Sequence, residues 1–271
     1  MPSITIDGIA LDVAEGSTIL DAARAAGIRI PTLCFLKERS AIASCRVCVV
    51  DVEGFDQPVP SCATPVQDGM KVTTSSPRIE AYRRITLELI IADHGLDSTN
   101  YCFSCDKNGA CELPAVCRAY GVLESPFEAA QKREPVRDEN QFLAYDPNLC
   151  IRCQRCVGAC NDAARNHSLG TAKRGVRTLI EAPFGADWRA TDCESCGHCA
   201  QACPTGAPTD KRRAPSPPWD TERVRTPCPH PGVGCQLDPA LHAGAILDAA
   251  AAPGPSPHGL LLVDATTGSL A

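Results

Sequence analysis

Two short cysteine runs constrain this 271-residue chain more than any other feature. One lies between Cys150 and Cys160 and the other between Cys193 and Cys203, and each spaces four cysteines as C-x2-C-x2-C-x3-C. Paired C-x2-C units also make structural zinc sites, but a zinc site takes four ligands from two such units, whereas each run here already supplies four thiols. Two complete runs in tandem instead predict two [4Fe–4S] clusters.

The composition favours small modules that are stabilised by metal. The chain has 18 cysteines but only 4% aromatic residues, so it has little large apolar surface to bury. Disulfides belong to exported chains, and the opening MPSITIDGIALDV has neither the basic nor the apolar region of a signal peptide. We therefore expect reduced thiols in a cytoplasmic setting. The net charge of −6 gives no indication of nucleic-acid binding, and no apolar run approaches the ~18 residues of a membrane span.

Residues 1–77 alternate as a small α/β unit. A hairpin is predicted to turn at Asp7-Gly8, and a helix to begin at a Ser17 cap and end at Gly27. Later strands follow a loop that carries a C-x10-C-x2-C-x13-C set, which suits a [2Fe–2S] cluster. The order of elements predicts a β-grasp [2Fe–2S] ferredoxin domain. Its predicted ligands are Cys34, Cys45, Cys48 and Cys62.

Residues 78–122 predict a small helical domain with one more [4Fe–4S] cluster. A helix starts with Pro77 at its first position and ends near Asp93-His94, with an apolar face predicted at Ile79, Tyr82, Ile85 and Leu89. A C-x2-C-x5-C set follows, and a further cysteine lies five residues on. With four cysteines assigned to each other site, these four complete another set: Cys102, Cys105, Cys111 and Cys117.

These patterns resemble the N-terminal part of the large iron–sulfur subunit of respiratory complex I and its relatives. In that family the helix ends in a histidine that binds one [4Fe–4S] cluster together with the C-x2-C-x5-C set, so the resemblance implies His94 as the fourth ligand. This chain has seven residues between His94 and Cys102, four more than the family, and Ser98 stands where the first cysteine would. Cys117 and His94 therefore remain alternatives.

Residues 141–210 resemble a bacterial-type ferredoxin domain with two [4Fe–4S] clusters, with a loop or hairpin inserted between the runs. In that fold the fourth cysteine of each run binds the other cluster. One predicted set is Cys150, Cys153, Cys156 and Cys203. The other predicted set is Cys193, Cys196, Cys199 and Cys160. Pro204 ends the second run, and Asn161, a milder turn former, stands at the equivalent place in the first.

Residues 221–271 follow a linker-like stretch, KRRAPSPPWD. The segment TPCPHPGVGCQLD resembles the start of the molybdopterin domain of formate dehydrogenases, where a C-x2-C-x3-C set and a later cysteine hold a further cluster. Here Cys228 and Cys235 are present, but Pro231 occupies the middle position.

The final stretch extends this degenerate pattern. Leu262 and Asp264 stand where the resemblance places the fourth cysteine and a lysine beside the cofactor. We therefore expect a degenerate start of a molybdopterin domain that serves as a docking tail. The alternatives are an unstructured end, or pairing or zinc binding by Cys228 and Cys235 with His230.

The fold class predicted for the whole chain is α+β, with one [2Fe–2S] and three [4Fe–4S] clusters. No glycine-rich nucleotide-binding turn follows a strand, and no catalytic dyad or open metal site is evident in the sequence. The residues therefore predict a non-catalytic electron-transfer subunit, with no catalytic residue and no cofactor besides the clusters.

The resemblance extends to the iron–sulfur part of NAD(P)-linked formate dehydrogenases and to the diaphorase iron–sulfur subunit of NAD-reducing hydrogenases. It implies a multi-subunit oxidoreductase, with a flavin- and NAD(P)-binding subunit and a separate catalytic subunit as partners. The alternatives are a free-standing soluble multi-cluster ferredoxin and a piece of a catalytic molybdenum enzyme. The missing cysteines and lysine argue against the last.

Overall fold

The computed structural model describes most of the chain, in two compact units. The first unit comprises Met1–Asp93 with Glu112–Ala130, and the second comprises His94–Cys111 with Gln131–Ala271. The described residues are 1–36, 41–94, 102, 105, 107–108, 111–127, 134–211, 221–227, 236–242 and 244–251.

A five-stranded sheet forms the core of the first unit. Its strands are β1 (Ser3–Ile6), β2 (Ile9–Asp12), β3 (Val49–Val52), β4 (Val59–Pro60) and β5 (Met70–Thr73). They lie in the order β2-β1-β5-β3-β4, with β1 and β5 parallel and the other neighbours antiparallel. Asp7 and Gly8 both have positive φ, as the tight turn between β1 and β2 requires. This is the predicted β-grasp arrangement.

Helix α1 (Ile19–Ala25) packs its apolar side chains into the core of this sheet. Its N-cap is Thr18, so the prediction of Ser17 was wrong by one residue. The Thr18 hydroxyl accepts from the Asp21 N–H at 3.2 Å, and the Asp21 carboxylate accepts from the Thr18 N–H at 3.1 Å. Of Ser17 and Thr18, only Thr18 has an acidic residue three positions later, which completes this capping box. Gly27 follows the helix with a φ of +73°.

Helix α2 (Pro77–Asp93) begins where predicted, because the Ser76 hydroxyl accepts from the Ile79 N–H at 3.2 Å. The predicted apolar face was wrong at three of its four positions: Tyr82, Ile85 and Leu89 are 43–50% exposed, whereas Ile79 is buried. The buried residues of α2 are Ile79, Arg83, Leu87 and Ile91. No helix in the described ranges is both long enough and apolar enough to cross a membrane.

Burial of Arg83 explains why α2 turns a different face to the core from the predicted one. The Arg83 guanidinium donates to the Val49 carbonyl at 2.8 Å and to the Tyr120 hydroxyl at 2.9 Å. These bonds, and the Tyr120 ring whose centroid lies 5.7 Å from the guanidinium carbon, stabilise the buried charge, although Nε has no hydrogen-bond partner among the described residues. Tyr120 lies just after helix α3 (Glu112–Ala119), which buries Leu113 and Cys117.

The second unit holds both cysteine runs among short elements. Its elements up to residue 211 are β6 (Leu143–Tyr145), α4 (Arg155–Gly158), β7 (Gly170–Ala172), β8 (Leu179–Glu181), α5 (His198–Ala202) and β9 (Pro208–Asp210). Strand β6 pairs with β9, and β7 pairs with β8 in a hairpin, the insertion predicted between the runs. Single 3-10 turns lie at Pro147–Leu149, Gly175–Arg177, Pro183–Gly185 and Trp188–Ala190.

The two runs end differently. Helix α5 ends at Ala202, shortly before Pro204, whose ring and missing N–H oppose further helix. In the first run Asn161 replaces the proline, and α4 continues into a π-helical turn at Ala159–Ala163.

The described part of residues 221–251 forms a four-stranded antiparallel sheet. Its strands are β10 (Glu222–Arg223), β11 (Thr226–Pro227), β12 (Gln236–His242) and β13 (Ala245–Ala251). These described residues are therefore ordered into strands. The low-complexity end, to which the unstructured alternative refers, lies almost wholly after residue 251 and outside the described residues. The residues on which the molybdopterin-domain resemblance depends lie outside the described ones: Cys228, His230, Pro231, Cys235, Leu262 and Asp264.

Candidate iron–sulfur sites

The four cysteines predicted to hold the [2Fe–2S] cluster form one continuous group. They lie on the loop that follows α1 and beside β3 and β4, and all four are buried. The Cys48 and Cys62 sulfurs are 3.4 Å apart, and Cys34 makes side-chain hydrogen bonds with both Cys45 and Cys62. The chain thus brings together all four predicted donors.

The thiols of this group cannot all keep ordinary pKa values. Hydrogen bonds from Cys45 and Cys62 hold the pKa of Cys34 well below its usual range, and the bond from Cys62 lowers that of Cys48. The same contacts raise the pKa values of Cys45 and Cys62. Metal binding removes this conflict, because a cluster takes its ligands as thiolates. The donor set therefore fits a [2Fe–2S] cluster.

The backbone around this group is arranged to face negative charge. Ala43 and Arg46 have φ values of 52° and 55°, which cost a non-glycine residue about 1–2 kcal/mol each. Backbone hydrogen bonds from Ser44 and Cys45 lower the pKa of Cys34, after the contributions of the neighbouring thiols and burial. Such left-handed turns form concave sets of N–H groups that bind anions, including iron–sulfur clusters.

In the second unit the two runs exchange their last cysteines. Burial raises the pKa values of Cys150, Cys153 and Cys156, and in each case the nearby charge of Cys203 adds to the rise. Cys203 thus lies with the first three cysteines of the other run.

The second group shows the reciprocal arrangement. Burial, then the charges of Cys196, Cys193 and Cys160, raises the pKa of Cys199. Burial also raises the pKa of Cys160, and the charges of Cys196 and Cys193 add to that rise. The structure therefore places Cys160 with the first three cysteines of the second run, the crossed arrangement predicted from the sequence.

A pocket lies among the cysteines of this second group. Its sulfur-bearing lining residues are Cys160, Cys193, Cys196 and Cys199, and Leu143, Leu169 and Trp188 supply apolar walls. No three His, Cys, Asp or Glu side chains in the described ranges converge as ligands of a single ion. Ligands of a cluster need not converge in this way, since they surround several iron atoms. Four thiols that line one pocket fit the donor set of a [4Fe–4S] cluster.

The two runs also share one backbone geometry. The residues before and after the second cysteine have positive φ in both: Arg152 and Gln154 in the first run, and Ser195 and Gly197 in the second. The turn at Arg152 brings its N–H to 3.3 Å from the Cys150 sulfur. Three of these four residues are not glycine, so the sequence gives little indication of this strained backbone.

The third candidate site includes one buried histidine. The His94 side chain is only 6% exposed, and burial lowers its pKa to about 4, against opposing effects of a hydrogen bond to the Leu149 backbone and of Asp146. Its Nδ1 atom has no hydrogen-bond partner among the described residues. A neutral imidazole with one nitrogen hydrogen-bonded and the other open is the form that binds metal.

The cysteines of this site divide between the units. Cys102, Cys105 and Cys111 are half-buried in the second unit, which also contains His94. Cys105 packs against the core formed around Leu143 and Tyr145. Cys117 belongs to the first unit, where burial raises the pKa of its thiol to about 11.

Several polar contacts to the cysteines had no indication in the sequence. The Asn140 amide donates to the Ser195 hydroxyl at 3.0 Å and lies 3.8 Å from the Cys193 sulfur, although it is more than 50 residues away along the chain. His198 Nδ1 lies 3.2 Å from the Cys196 sulfur. Its position inside a cysteine run is the one sequence feature that could have suggested this role. Hydrogen bonds to ligating sulfurs tune cluster potentials.

The two runs differ in charge at equivalent positions. The first run has Arg152 and Arg155 between its cysteines, where the second has Ser195 and His198. Arg155 is only 5% exposed, and its charge opposes the rise that burial causes in the pKa of Cys153. A cation near a cluster favours the reduced, more negative state, so Arg155 would raise the potential of a cluster bound at Cys153.

We expect Arg155→Gln to lower the midpoint potential of one [4Fe–4S] cluster by about 50–100 mV, the size expected for a unit charge at an effective dielectric constant of about 20. An EPR-monitored redox titration measures this shift. Arg165→Gln is the matched control, because it removes the same charge from an exposed position of the same unit. Equal shifts in the two variants would contradict a local effect of Arg155.

Three family models match successive parts of the chain. Residues 2–77 match a 2Fe-2S iron-sulfur cluster binding domain, and residues 83–126 match an NADH-ubiquinone oxidoreductase-G iron-sulfur binding region. Residues 141–209 match the ferredoxin-like domain of NADH-quinone oxidoreductase subunit 3. These matches confirm the predicted fold class, with a [2Fe–2S] ferredoxin domain and a ferredoxin-like [4Fe–4S] domain.

Curated relatives are similar over nearly the whole chain. The NADPH-Fe(3+) oxidoreductase subunit alpha of Geobacter sulfurreducens is 38% identical over 88% of the chain, and a subunit of an NADH-quinone oxidoreductase of Rhizobium meliloti is 39% identical over 90%. The NADP-reducing hydrogenase subunit HndD of Solidesulfovibrio fructosivorans is 39% identical over 96%. The chain spans 28% of the length of the first two relatives and 44% of HndD.

A solved structure is similar over most of its own length. The crystal structure of an NAD+-reducing [NiFe]-hydrogenase in the H2-reduced state contains a chain that is 32% identical, with a TM-score of 0.72. The match covers 80% of this chain and 90% of that one. The chain therefore belongs to the oxidoreductase family of complex I-type iron–sulfur proteins, in which a 2Fe-2S cluster-binding domain, an NADH-ubiquinone oxidoreductase-G iron–sulfur region and a subunit 3-type ferredoxin-like domain follow one another.

Proposed function

We propose that this chain relays single electrons through one [2Fe–2S] and three [4Fe–4S] clusters. One observation carries the proposal: Cys156 and Cys203 of one crossed set pack in the same buried core as Cys160 and Cys199 of the other, so the two sets are close neighbours. An electron relay needs closely spaced buried redox centres and no bond-making groups. Clusters bound by the two crossed sets would supply two such centres within one unit.

The proposed third [4Fe–4S] site continues this series within the second unit. His94 hydrogen-bonds to the backbone of Leu149, the residue before Cys150. A Cβ atom at Gly206 would lie 2.7 Å from the Lys107 Cβ, so Lys107 packs on the turn that follows Cys203. Both contacts lead from the third site to the set that contains Cys150 and Cys203.

We assign the fourth ligand of that third cluster to His94 rather than to Cys117. His94 shares a unit with the three cysteines, is neutral, and keeps Nδ1 open. Cys117 has the raised pKa of a buried protonated thiol and packs in the first unit as a small apolar side chain. The ligands of the other clusters are the four-cysteine sets described above, and no residue of the chain is assigned a catalytic role.

The proposed partners are a flavin- and NAD(P)-binding subunit and a separate catalytic subunit of formate dehydrogenase or hydrogenase type, in a cytoplasmic complex. The names of the relatives favour this arrangement, because each name includes a nicotinamide nucleotide. The docking role of residues 221–271 and the domain boundaries at residues 77, 122, 141 and 210 belong to the same proposal.

Anaerobic purification of the cluster-loaded chain tests this function. We expect dithionite to reduce the clusters, and we expect no turnover with NADH, NADPH, formate or hydrogen until the partner subunits are added. Turnover by the single chain would overturn the relay proposal. The free-standing ferredoxin alternative predicts instead that no flavoprotein copurifies in stoichiometric amount from the native source.

A further inference from the structure

The hairpin of β7 and β8 carries a compact basic tip. The segment from Lys173 to Arg177 has three cations and no acidic residue, in a chain whose formal charge is −6. Lys173, Arg174 and Arg177 are all exposed, and Val176 between them is 49% exposed. We call this segment the basic tip.

The basic tip is held rigidly. Lys173 and Gly175 have φ values of 61° and 59°, and the Gly175 carbonyl accepts from both the N–H and the hydroxyl of Thr178, at 3.0 and 2.8 Å. Three like charges in one tight turn repel each other, so the fold maintains them at some cost in stability. A flexible solvated loop would let these cations separate.

One residue joins the basic tip to a proposed cluster. The Arg152 guanidinium donates to the Thr178 carbonyl at 3.1 Å and to the Val176 carbonyl at 2.7 Å. The backbone N–H of the same Arg152 lies 3.3 Å from the Cys150 sulfur. The tip therefore lies over the first ligand of the cluster assigned to Cys150, Cys153, Cys156 and Cys203.

The shape of the tip indicates the kind of partner. A small anion needs a concave site, whereas this tip is a protruding turn with an exposed apolar residue surrounded by cations. An apolar centre with a charged rim is the pattern of a transient protein interface, and complementary charge accelerates association.

We propose that the basic tip docks an acidic electron-transfer protein, which exchanges electrons with the cluster at Cys150. The proposal rests on the proposed relay function. In the productive complex one electron leaves the reduced centre of the partner and converts the [4Fe–4S] cluster from the 2+ to the 1+ state. The reverse transfer uses the same contact, and neither direction requires a proton or a bond change in the chain.

Stopped-flow mixing of the cluster-loaded full chain with a reduced, acidic plant-type [2Fe–2S] ferredoxin tests the docking. We expect the second-order rate constant of the unaltered chain to fall steeply as salt rises. The variant K173E/R174E/R177E should react at least about tenfold more slowly at low salt and lose that salt dependence. The neutral variant K173Q/R174Q/R177Q should lie between the two. Each variant is first shown to keep its iron content and EPR spectrum.

Two controls separate docking from a general charge effect. R29E/R84E/R118E reverses three exposed cations of the first unit and should keep at least about half of the original rate. A basic c-type cytochrome, mixed in its oxidised form with the pre-reduced chain, should react no more slowly with the tip variant than with the unaltered chain.

Three results would overturn the docking proposal. The first is a salt dependence of the rate that is unchanged in the tip variant K173E/R174E/R177E. The second is a loss of rate that occurs only in R29E/R84E/R118E. The third is that the tip variant loses binding to a labelled DNA duplex but keeps its rate of electron transfer. None of these would affect the relay proposal, which fails instead if the single chain turns over NADH, NADPH, formate or hydrogen.

Discussion

Replacing Cys150 and Cys203 together with alanine should remove no more [4Fe–4S] clusters than replacing Cys203 alone. In the crossed arrangement these two cysteines bind the same cluster, although they belong to different runs and are 53 positions apart. Loss of one thiolate already opens the cluster or converts it to a three-iron form, so a second loss at the same site has little left to remove. A Cys193→Ala/Cys203→Ala variant should instead lose two clusters, because its cysteines belong to different sets.

The intact clusters are counted by iron and sulfide analysis with integrated EPR of the fully reduced chain. The unaltered chain should show three [4Fe–4S] clusters, the single variants and Cys150→Ala/Cys203→Ala two, and Cys193→Ala/Cys203→Ala one. Cys150→Ala/Cys160→Ala provides the reciprocal comparison, because it should also lose two. If each run bound its own cluster, Cys193→Ala/Cys203→Ala would lose one and Cys150→Ala/Cys203→Ala two.

The spacing within a run predicted which cysteines act together, and the resemblance to bacterial ferredoxins implied that Cys160 and Cys203 are exchanged between the runs. The sequence could not reveal the backbone that orients them. Gln154 and Gly197 have the same left-handed conformation at equivalent positions, but only Gly197 indicates it. A single residue in that conformation costs little enough that ligation and packing can impose it on glutamine.

Side chains that depend on tertiary contacts were also beyond sequence reasoning. The predicted apolar face of α2 did not include Arg83, whereas hydrogen bonds to the Val49 carbonyl and the Tyr120 hydroxyl hold its guanidinium in a buried position. Asn140 reaches the second cysteine run because its carbonyl oxygen, Oδ1, accepts from two backbone N–H groups at the start of β6. Such residues are fixed by partners distant in sequence, and no local pattern marks them.

The same limit applied to the fourth ligand of the third cluster. Counting cysteines favoured Cys117 and the resemblance implied His94, because neither a count nor a motif shows where a residue is buried or in which protonation state. The structure gives Cys117 the raised pKa of a buried thiol, and it gives His94 the lowered pKa of a neutral imidazole. These are opposite properties for a ligand, since a thiol must lose its proton before it binds and a neutral imidazole need not.

Replacing His94 with alanine should therefore abolish one [4Fe–4S] cluster, whereas Cys117→Ala should keep all three. The alanine at position 94 leaves three half-buried cysteines, Cys102, Cys105 and Cys111, without a fourth donor. Alanine at position 117 removes a buried sulfur and should cost only about 1–3 kcal/mol of unfolding free energy. Iron analysis and EPR spin counts of the two variants, purified in parallel, measure the difference.

His94→Cys separates ligation from packing at the same position. A thiolate is a ligand but carries a negative charge that imidazole lacks, so this variant should keep the cluster and lower its midpoint potential by on the order of 100 mV. A merely structural histidine would give no such shift, because the cluster would keep its own four ligands in every variant at position 94. Cluster loss in Cys117→Ala with retention in His94→Ala would assign the site to Cys117.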